Sequence, residues 1–364
     1  MTQAFTHRKS ARGFSLLELM VAVTISLLLL MGVVALFVSS RASYETTERL
    51  SRIQENGRYA LDQFTNDIRA AGYQGCARAN PGSARAADFV ISSLNNPNAL
   101  LWNFAVPAQG FNGLGGSTFS PALGAGILNP EPSADGDVVV LRIPQRDAVA
   151  MQLTDAQVDA ADPLQVGIIN PAPIEAGDVA VITDCEARAW FQVTGYAGGE
   201  IQHIETGGTQ TTPGNSSASL LHPFKRGAEV VPVTTVIYYL APGNANPELM
   251  SLWRKTGGAL LSDEIAEGIE RLEIRYGIDD PTNGTDGRVD SYVDDVSAVT
   301  SWDRVYSLKI ALLARAPDAY GTDIDNQVYT LFGAPNEVTA GPFNDRFLRK
   351  VFTATVAVRN QIID

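Results

Sequence analysis

Positive charge and metal-ligating side chains are scarce in this sequence of 364 residues. It has 27 Lys and Arg against 40 Asp and Glu, a net charge of −13, and its few Lys form no run. Nucleic-acid binding needs a basic footprint, so no nucleic-acid partner is expected. Three His and two Cys are too few for a zinc ribbon or a His-rich metal site. Because apolar residues make up 45%, disorder is excluded as the main character of the chain.

Catalytic motifs are missing as well. The sequence has no phosphate loop, no dinucleotide fingerprint and no Gly-x-Ser-x-Gly elbow. His7 lies near the start of the chain, and His203 and His222 are better explained as structural residues than as catalytic ones. We therefore predict no catalytic residue and expect that the protein is not an enzyme.

The N-terminal segment contains the longest apolar run. Residues 1–13 include three basic residues and no acid, and Leu19 to Val38 carry no charge. At 1.5 Å per residue these twenty positions span about 30 Å, the thickness of a hydrocarbon core. A basic flank before such a run places the N-terminus in the cytoplasm and the remainder across the membrane.

Glu18 separates three interpretations of this segment. A cleaved signal peptide has an apolar core of roughly 7–15 residues, which is shorter than this run, although residues 39–43 offer a weak cleavage site. A plain signal anchor explains the length and treats Glu18 as a tolerated interfacial charge. A carboxylate inside a membrane helix costs about 2.5–3.5 kcal/mol and usually has a function.

The third interpretation accounts for Glu18. Residues 12–19, RGFSLLEL, resemble the processing site that type IV pilins and type II secretion pseudopilins share. The resemblance implies that a prepilin peptidase cuts between Gly13 and Phe14 and N-methylates Phe14. It also implies that Glu18 pairs with the N-terminal amine of a neighbouring subunit during assembly. Opposite charges in a low dielectric, each costly alone, favour one register of helix stacking.

The apolar run continues as an amphipathic helix. No Pro occurs from Phe14 to Tyr73, and apolar residues recur at spacings of three or four up to Ala71, while Asp67 falls among the polar positions. This pattern predicts one helix of about 58 residues, with a membrane or filament-core half (14–38) and an amphipathic half (39–73). Gly72 and Gly75 are helix-stop signals.

Residues 74–364 are predicted to form a β-rich body. Turn-forming residues separate nine candidate strands: Asp137–Ile143, Val179–Asp184, Ala189–Thr194, Ile201–Glu205, Glu229–Leu240, Leu249–Lys255, Ile269–Tyr276, Val305–Ala314 and Phe347–Val358. Asp263–Glu267 is predicted to be a short helical turn, and residues about 80–135 a loop-rich insertion. The predicted fold class is α+β, with the long N-terminal helix packed on a mostly antiparallel body.

Two further predictions concern a disulfide and a metal site in that body. If it lies outside the cytoplasm, Cys76 and Cys185 predict one disulfide that closes a loop of about 110 residues; two free thiols are the alternative. In the loop 279–290, oxygen atoms of four residues suit calcium, although their spacing departs from the EF-hand and a metal-free hairpin turn is the alternative. These residues are Asp280, Asn283, Asp286 and Asp290.

Motifs outside the leader resemble the long minor pilins of the PilW type. They are RAAGY at 69–73 before Cys76, AEGIE at 266–270 before RYG at 275–277, and the ending 347–360. The resemblance implies a pilin-like fold and a minor pilin that primes assembly at or near the pilus tip, for twitching motility, adhesion or DNA uptake. Implied partners are prepilin peptidase, other minor pilins, the major pilin and a tip adhesin. The implied location is the inner membrane, with the body in the periplasm, and then the cell-surface pilus.

Two alternatives stay open at this point. A J-like minor pseudopilin of a type II secretion system has a similar leader and a β-rich body, although such pseudopilins are usually shorter. An alternative of another class is a membrane-anchored β-rich binding module whose leader matches by accident.

Overall fold

A computed structural model describes residues 15–73, 75, 90–209, 212–284, 286–319 and 324–361. The chain divides into two compact units, residues 1–51 and 52–364. A single helix, α1 (Leu16–Ala70), accounts for the apolar run and the amphipathic stripe, close to the predicted bounds. It ends where Gly72 adopts a φ of 73°, a left-handed conformation that glycine adopts at no steric cost.

The body is built from strands. In the described residues they are β1 (Val90–Ser92), β2 (Ala108–Gly113), β3 (Phe119–Ser120), β4 (Val138–Pro144), β5 (Met151–Gln152), β6 (Leu164–Gln165), β7 (Val179–Thr183), β8 (Arg188–Gln192), β9 (Gly195–Ala197), β10 (Glu200–Gln202), β11 (Glu229–Pro242), β12 (Met250–Thr256), β13 (Asp263–Glu267), β14 (Ile269–Ile278), β15 (Ser291–Val293), β16 (Val305–Arg315), β17 (Tyr329–Phe332), β18 (Val338–Ala340) and β19 (Arg349–Ala357). Three short 3-10 turns, Val296–Ala298, Trp302–Arg304 and Arg359–Gln361, complete the described elements. All nine predicted strands are present, with ends that shift by a few residues.

Two larger sheets organise these strands. The first has the order β1-β8-β7-β11-β4-β2-β3, and β5 and β12 also pair with the long strand β11, while β13 pairs with β12. The second has the order β15-β14-β16-β19. Strands β6, β10 and β9 form a small sheet, and β17 and β18 form a hairpin. Apart from the parallel pair β1–β8, the ladders are antiparallel, which confirms the predicted α+β class.

The prediction of a helical turn at Asp263–Glu267 is wrong. This segment is β13, which pairs antiparallel with β12. Five residues gain more hydrogen bonds by extending an existing ladder than by forming a costly isolated helical turn. Gly268, with a φ of 77°, then turns the chain into β14.

Residues of α1 from Ile53 onward pack among the inner faces of both sheets. Phe64 stacks on Tyr238 of β11 with ring centroids 4.1 Å apart. The same apolar core includes Leu141 of the first sheet and Leu312 of the second. The amphipathic stripe therefore buries its apolar side, as the sequence predicted.

The opposite face of the first sheet is covered by the insertion. Trp102, Phe104 and Phe111 are buried in one apolar cluster with Val140 and Ile237 of that sheet. Within the predicted insertion, Ala108–Gly113 also joins the sheet beside β4 as strand β2. Residues 80–89 of the insertion lie outside the described part. The insertion thus contributes to the fold rather than only to the surface.

Asp67 is buried rather than on the solvent-exposed polar face that was predicted for it, since it is only 2% exposed. Its Oδ2 accepts hydrogen bonds from the Tyr238 hydroxyl at 2.6 Å and from Arg254 Nε at 3.0 Å. Its Oδ1 accepts one from Arg146 at 3.2 Å. A charge inside the interface is tolerated because donors from the sheets and their loops satisfy it.

Candidate functional site

The first turn of α1 is closed by a reciprocal pair of hydrogen bonds. The Ser15 N–H donates to Glu18 Oε2 at 3.0 Å, and the Glu18 N–H donates to Ser15 Oγ at 3.1 Å. This is a capping box, which satisfies two backbone donors that a helix start otherwise leaves unpaired. Glu18 is therefore engaged within its own chain. Gly13 and Phe14, the predicted cleavage and methylation residues, lie outside the described residues.

The helix that follows leaves its apolar side chains exposed up to Val38. Within the described residues, α1 is the one helix long and apolar enough to cross a membrane by length and composition, and none of its most apolar window is buried within the chain. Exposed apolar surface on this scale marks a membrane or protein contact. The N-terminal half of α1 is thus a candidate membrane and assembly segment.

Two sequence motifs from distant parts of the body meet in the second sheet. Glu270, in the segment 266–270, accepts a hydrogen bond from Arg349 Nε at 2.6 Å. It also forms an ion pair with Arg315 at 3.2 Å. Arg349 also pairs with Asp325 at 3.0 Å and Asp345 at 2.6 Å. The Arg349 side chain is almost wholly buried, so this network ties the start of β14 to the start of β19.

Two known families match the chain, one near its N-terminus and one toward its C-terminus. Residues 8–34 match the prokaryotic N-terminal methylation motif, and residues 237–360 match the family described as type IV pilus-assembly protein W. These two matches support a type IV pilin of the PilW type. Neither the comparison with curated proteins nor that with solved structures finds a match.

The two matches indicate the general biology of this chain. The methylation motif includes Gly13, Phe14 and Glu18, and together with the apolar helix it fits anchoring in the inner membrane and later entry into a pilus. The PilW match runs from β11 to the last 3-10 turn and includes the Glu270–Arg349 pair. Both families consist of pilus proteins rather than enzymes, and they imply processing by prepilin peptidase and contact with other pilus components.

The predicted disulfide between Cys76 and Cys185 stays a prediction. Cys185 is exposed in the turn between β7 and β8, and Cys76 lies outside the described residues. Gly75, next to Cys76, packs so closely on Thr183 that an added Cβ would overlap the Thr183 methyl group. This contact brings the chain just before Cys76 to the end of the strand that leads to Cys185, and so it favours the pairing.

In the 279–290 loop, the structure uses several of the predicted calcium ligands as turn acceptors. Asp280 Oδ1 accepts from the Thr282 N–H at 2.9 Å, Asp290 Oδ2 from the Asp280 N–H at 2.8 Å, and Asp286 Oδ1 from the Arg288 N–H at 3.0 Å. The hydrogen bonds from Thr282 also lower the pKa of the Asp280 carboxyl. For Asn283, the described bond is its N–H to the Asp280 carbonyl at 2.9 Å. Calcium binding by this loop stays a prediction.

Asp279, which begins this loop but is not among the four predicted calcium ligands, adds a further carboxylate. Asp279 is only 2% exposed, and its Oδ2 accepts from the Gly287 N–H at 3.0 Å. Its Oδ1 is buried and has no hydrogen-bond partner among the residues that the structure describes. A buried unpaired carboxylate oxygen is costly, and a bound cation would relieve that cost.

Proposed function

We propose that this chain is a minor type IV pilin that is incorporated at or near the pilus tip and primes pilus assembly. The observation that carries the proposal is the pairing of the two family matches, a methylation motif at one end and the PilW region at the other. In this account, a prepilin peptidase removes residues 1–13 and methylates Phe14, and the body faces the periplasm before assembly. Pilus biogenesis, twitching motility, adhesion or DNA uptake would depend on the assembled filament.

Glu18 would act in two successive states. In the isolated chain it caps its own helix through Ser15. During assembly the carboxylate would exchange this cap for the N-terminal amine of a neighbouring subunit, because a charge pair in a low dielectric is worth more than a hydrogen bond to a neutral amide. The exposed apolar half of α1 moves from lipid to a helix bundle, two environments of similar polarity, so assembly need not expose it to water.

The insertion suits a role in partner choice. It lies outside the residues that match the PilW family, and it forms the outer layer over the first sheet. A segment outside the family match is a reasonable place for contacts specific to this pilin, such as those with other minor pilins, the major pilin or a tip adhesin. Loops held on a rigid sheet commonly carry such contacts.

The test is complementation of a host strain that lacks this gene. Gly13→Ala is expected to block processing, and Glu18→Ala is expected to permit processing yet reduce the number of surface pili. Ser26→Ala is the matched control, since the Ser26 hydroxyl bonds only to the Ala22 carbonyl of its own helix at 2.7 Å among the described contacts. Normal processing and piliation in both variants would refute the proposal and support an anchored binding module. Intact pili with loss of type II secretion would instead support the J-like pseudopilin.

A further inference from the structure

Two acidic residues and a histidine meet beside the turn between β7 and β8. Asp184 and Glu186 belong to that turn, and His222 comes from the loop that precedes β11. One ligand atom from each of the three residues lies within 4.8 Å of the other two. Asp184 and His222 are partly buried and Glu186 is exposed, so the cluster is open to solvent on one side.

The cluster is held in place by its surroundings. Asp184 Oδ1 accepts from the backbone N–H groups of Glu186 at 3.1 Å and Ala187 at 3.0 Å, which fixes the carboxylate. Its Oδ2 then faces His222 Nε2 at 3.1 Å. The His222 ring packs edge-on against Phe224, with centroids 4.9 Å apart. Two of the three groups are therefore oriented before any ligand arrives.

The donor types, and the distance between two of the three ligand atoms, suit a transition metal. In a tetrahedral site with bonds of about 2.0–2.1 Å, neighbouring ligand atoms lie about 3.3 Å apart, close to the distance between Asp184 Oδ2 and His222 Nε2. A set of one imidazole nitrogen and two carboxylates fits zinc-class cations, whereas calcium prefers oxygen atoms alone. We propose that Asp184, Glu186 and His222 form a three-ligand site for a zinc-class divalent cation, with a further coordination position open to water.

Lys225 pairs with this cluster when no metal is bound, and its substitution therefore tests the proposed site. Its Nζ lies 2.5 Å from Glu186 Oε1, so the ammonium neutralises that carboxylate when no cation is bound. A divalent cation must displace it. Removal of this ammonium therefore strengthens metal binding, whereas it would leave adventitious binding elsewhere unchanged. A bound cation would join the β7–β8 turn to the loop of His222, a property separate from pilus assembly.

The other body histidine is not available to a metal. His203 is 2% exposed, and its two ring nitrogens lie 2.9 Å from the Ala218 carbonyl and 3.0 Å from the Asp162 carbonyl. Because His7 precedes the predicted cleavage site, His222 is the one candidate imidazole ligand in the described part of the processed chain.

The experiment is a calorimetric zinc titration of the full-length processed protein in detergent, without a polyhistidine tag and without reductant. We expect one equivalent of zinc with a micromolar Kd, and a Kd at least about tenfold weaker in His222→Gln and Asp184→Asn, since each loses one of only three ligands. Lys225→Met is expected to tighten binding about threefold or more, because it removes a competing positive charge. Glu175→Gln, an exposed carboxylate outside the cluster, is the matched control and should bind like the unsubstituted protein.

Cobalt absorption gives an independent readout. A Co²⁺ adduct with an imidazole ligand should show d–d bands that disappear in His222→Gln, while the thermal unfolding of the metal-free variant confirms that it is folded. Absence of saturable zinc binding at 100-fold the expected Kd would overturn the proposal. Equal zinc affinity in folded His222→Gln and in the unsubstituted protein would overturn it as well, since the bound zinc would then lie elsewhere.

Discussion

Asp67 brings a negative charge from the helix into the interior of the body. Its carboxylate lies between Tyr238, Arg254 and Arg146. Asp67→Asn would leave the mostly buried Arg254 without its counter-charge, and loss of one partner of a buried pair costs about 3–5 kcal/mol. Asp62→Asn, an exposed carboxylate on the same helix, is the control. Thermal unfolding should show a large loss of stability for Asp67→Asn and almost none for Asp62→Asn. Equal losses of stability would contradict this account.

Glu273 lies on β14 in a strongly acidic setting. Burial and the charge of Asp137 raise the pKa of its carboxyl, Arg271 and Arg275 oppose this, and Asp294 adds to the increase. Asp137 is itself fixed by backbone donors, including the Ile274 N–H at 2.9 Å. Glu273 is therefore expected to keep its proton in the folded state at pH values at which it ionises in the unfolded chain.

This shift predicts a pH-dependent stability. Because the folded pKa lies above the unfolded value of about 4.3, the contribution of Glu273 is full below pH 4 and is lost as the pH rises through the folded pKa. Glu273→Gln cannot ionise, so its stability relative to the unsubstituted protein should improve from pH 4.5 to pH 8.5. Exposed Glu267→Gln should show no such trend. Melting temperatures across this range test the prediction, and a constant difference for Glu273→Gln would show that its pKa is not raised.

Single residues differ in how far the sequence reveals them. Glu18 was recognisable because a charge in an apolar run is conspicuous, and the Ser15-x-x-Glu18 spacing of a capping box could also have been read. The buried position of Asp67 could not be predicted from the sequence, because its partners are 79 to 187 residues away in the chain. Likewise, the Asp184–His222 contact spans 38 residues and has no local signature.

At the scale of elements, α1 approaches β19 closely at one glycine. A Cβ at Gly57 would overlap the ring of Phe352, whereas a Cβ at Gly32 would meet nothing within 4 Å. Gly57→Ala should therefore destabilise the body by about 1–3 kcal/mol despite the better helix propensity of Ala. The loss should shrink in a Phe352→Ala background, as a double-mutant cycle would show. Gly32→Ala is the control, and a loss at Gly57 unaffected by Phe352→Ala would rule out this packing.

The 279–290 loop gives a second test at this scale. If it binds calcium, calorimetry of the processed chain should detect a millimolar or tighter site that Asp279→Asn weakens, because that substitution removes the negative charge and replaces a carboxylate by a neutral amide. Exposed Asp318→Asn is the control. Absence of heat at millimolar calcium would establish the loop as a metal-free turn held by Thr282 and Gly287.

Elements that are long and have a clear apolar pattern are predicted well from the sequence. Strands such as β11 and β16 form long apolar runs, and the sequence located them within a few residues. Strand β2 reads AQGFNG, which lacks an apolar pattern, and it forms because the exposed edge of β4 pairs with it. The residues Asp263–Glu267 favour a helical turn by themselves, but they form a strand because β12 pairs with them.

At the scale of the whole molecule, processing would change the charge of the chain. Loss of residues 1–13 removes three of the 27 basic residues and none of the 40 acids, so the net charge falls from −13 to −16. Positive charge would then be lost from the segment that orients the helix in the membrane, and it would be replaced by a single N-terminal amine within reach of a neighbouring Glu18. In the proposed account, one cleavage would thus convert a membrane-insertion signal into an assembly contact.

The central claim is that this chain is processed as a pilin and enters a filament. Mass spectrometry of the N-terminal peptide, on sheared surface filaments and on membranes of the native host, tests it most directly. We predict a chain that begins with N-methylated Phe14 and is present at low abundance in the filament fraction. A chain that begins at Met1, or one cut after the apolar run and found soluble, would contradict the account.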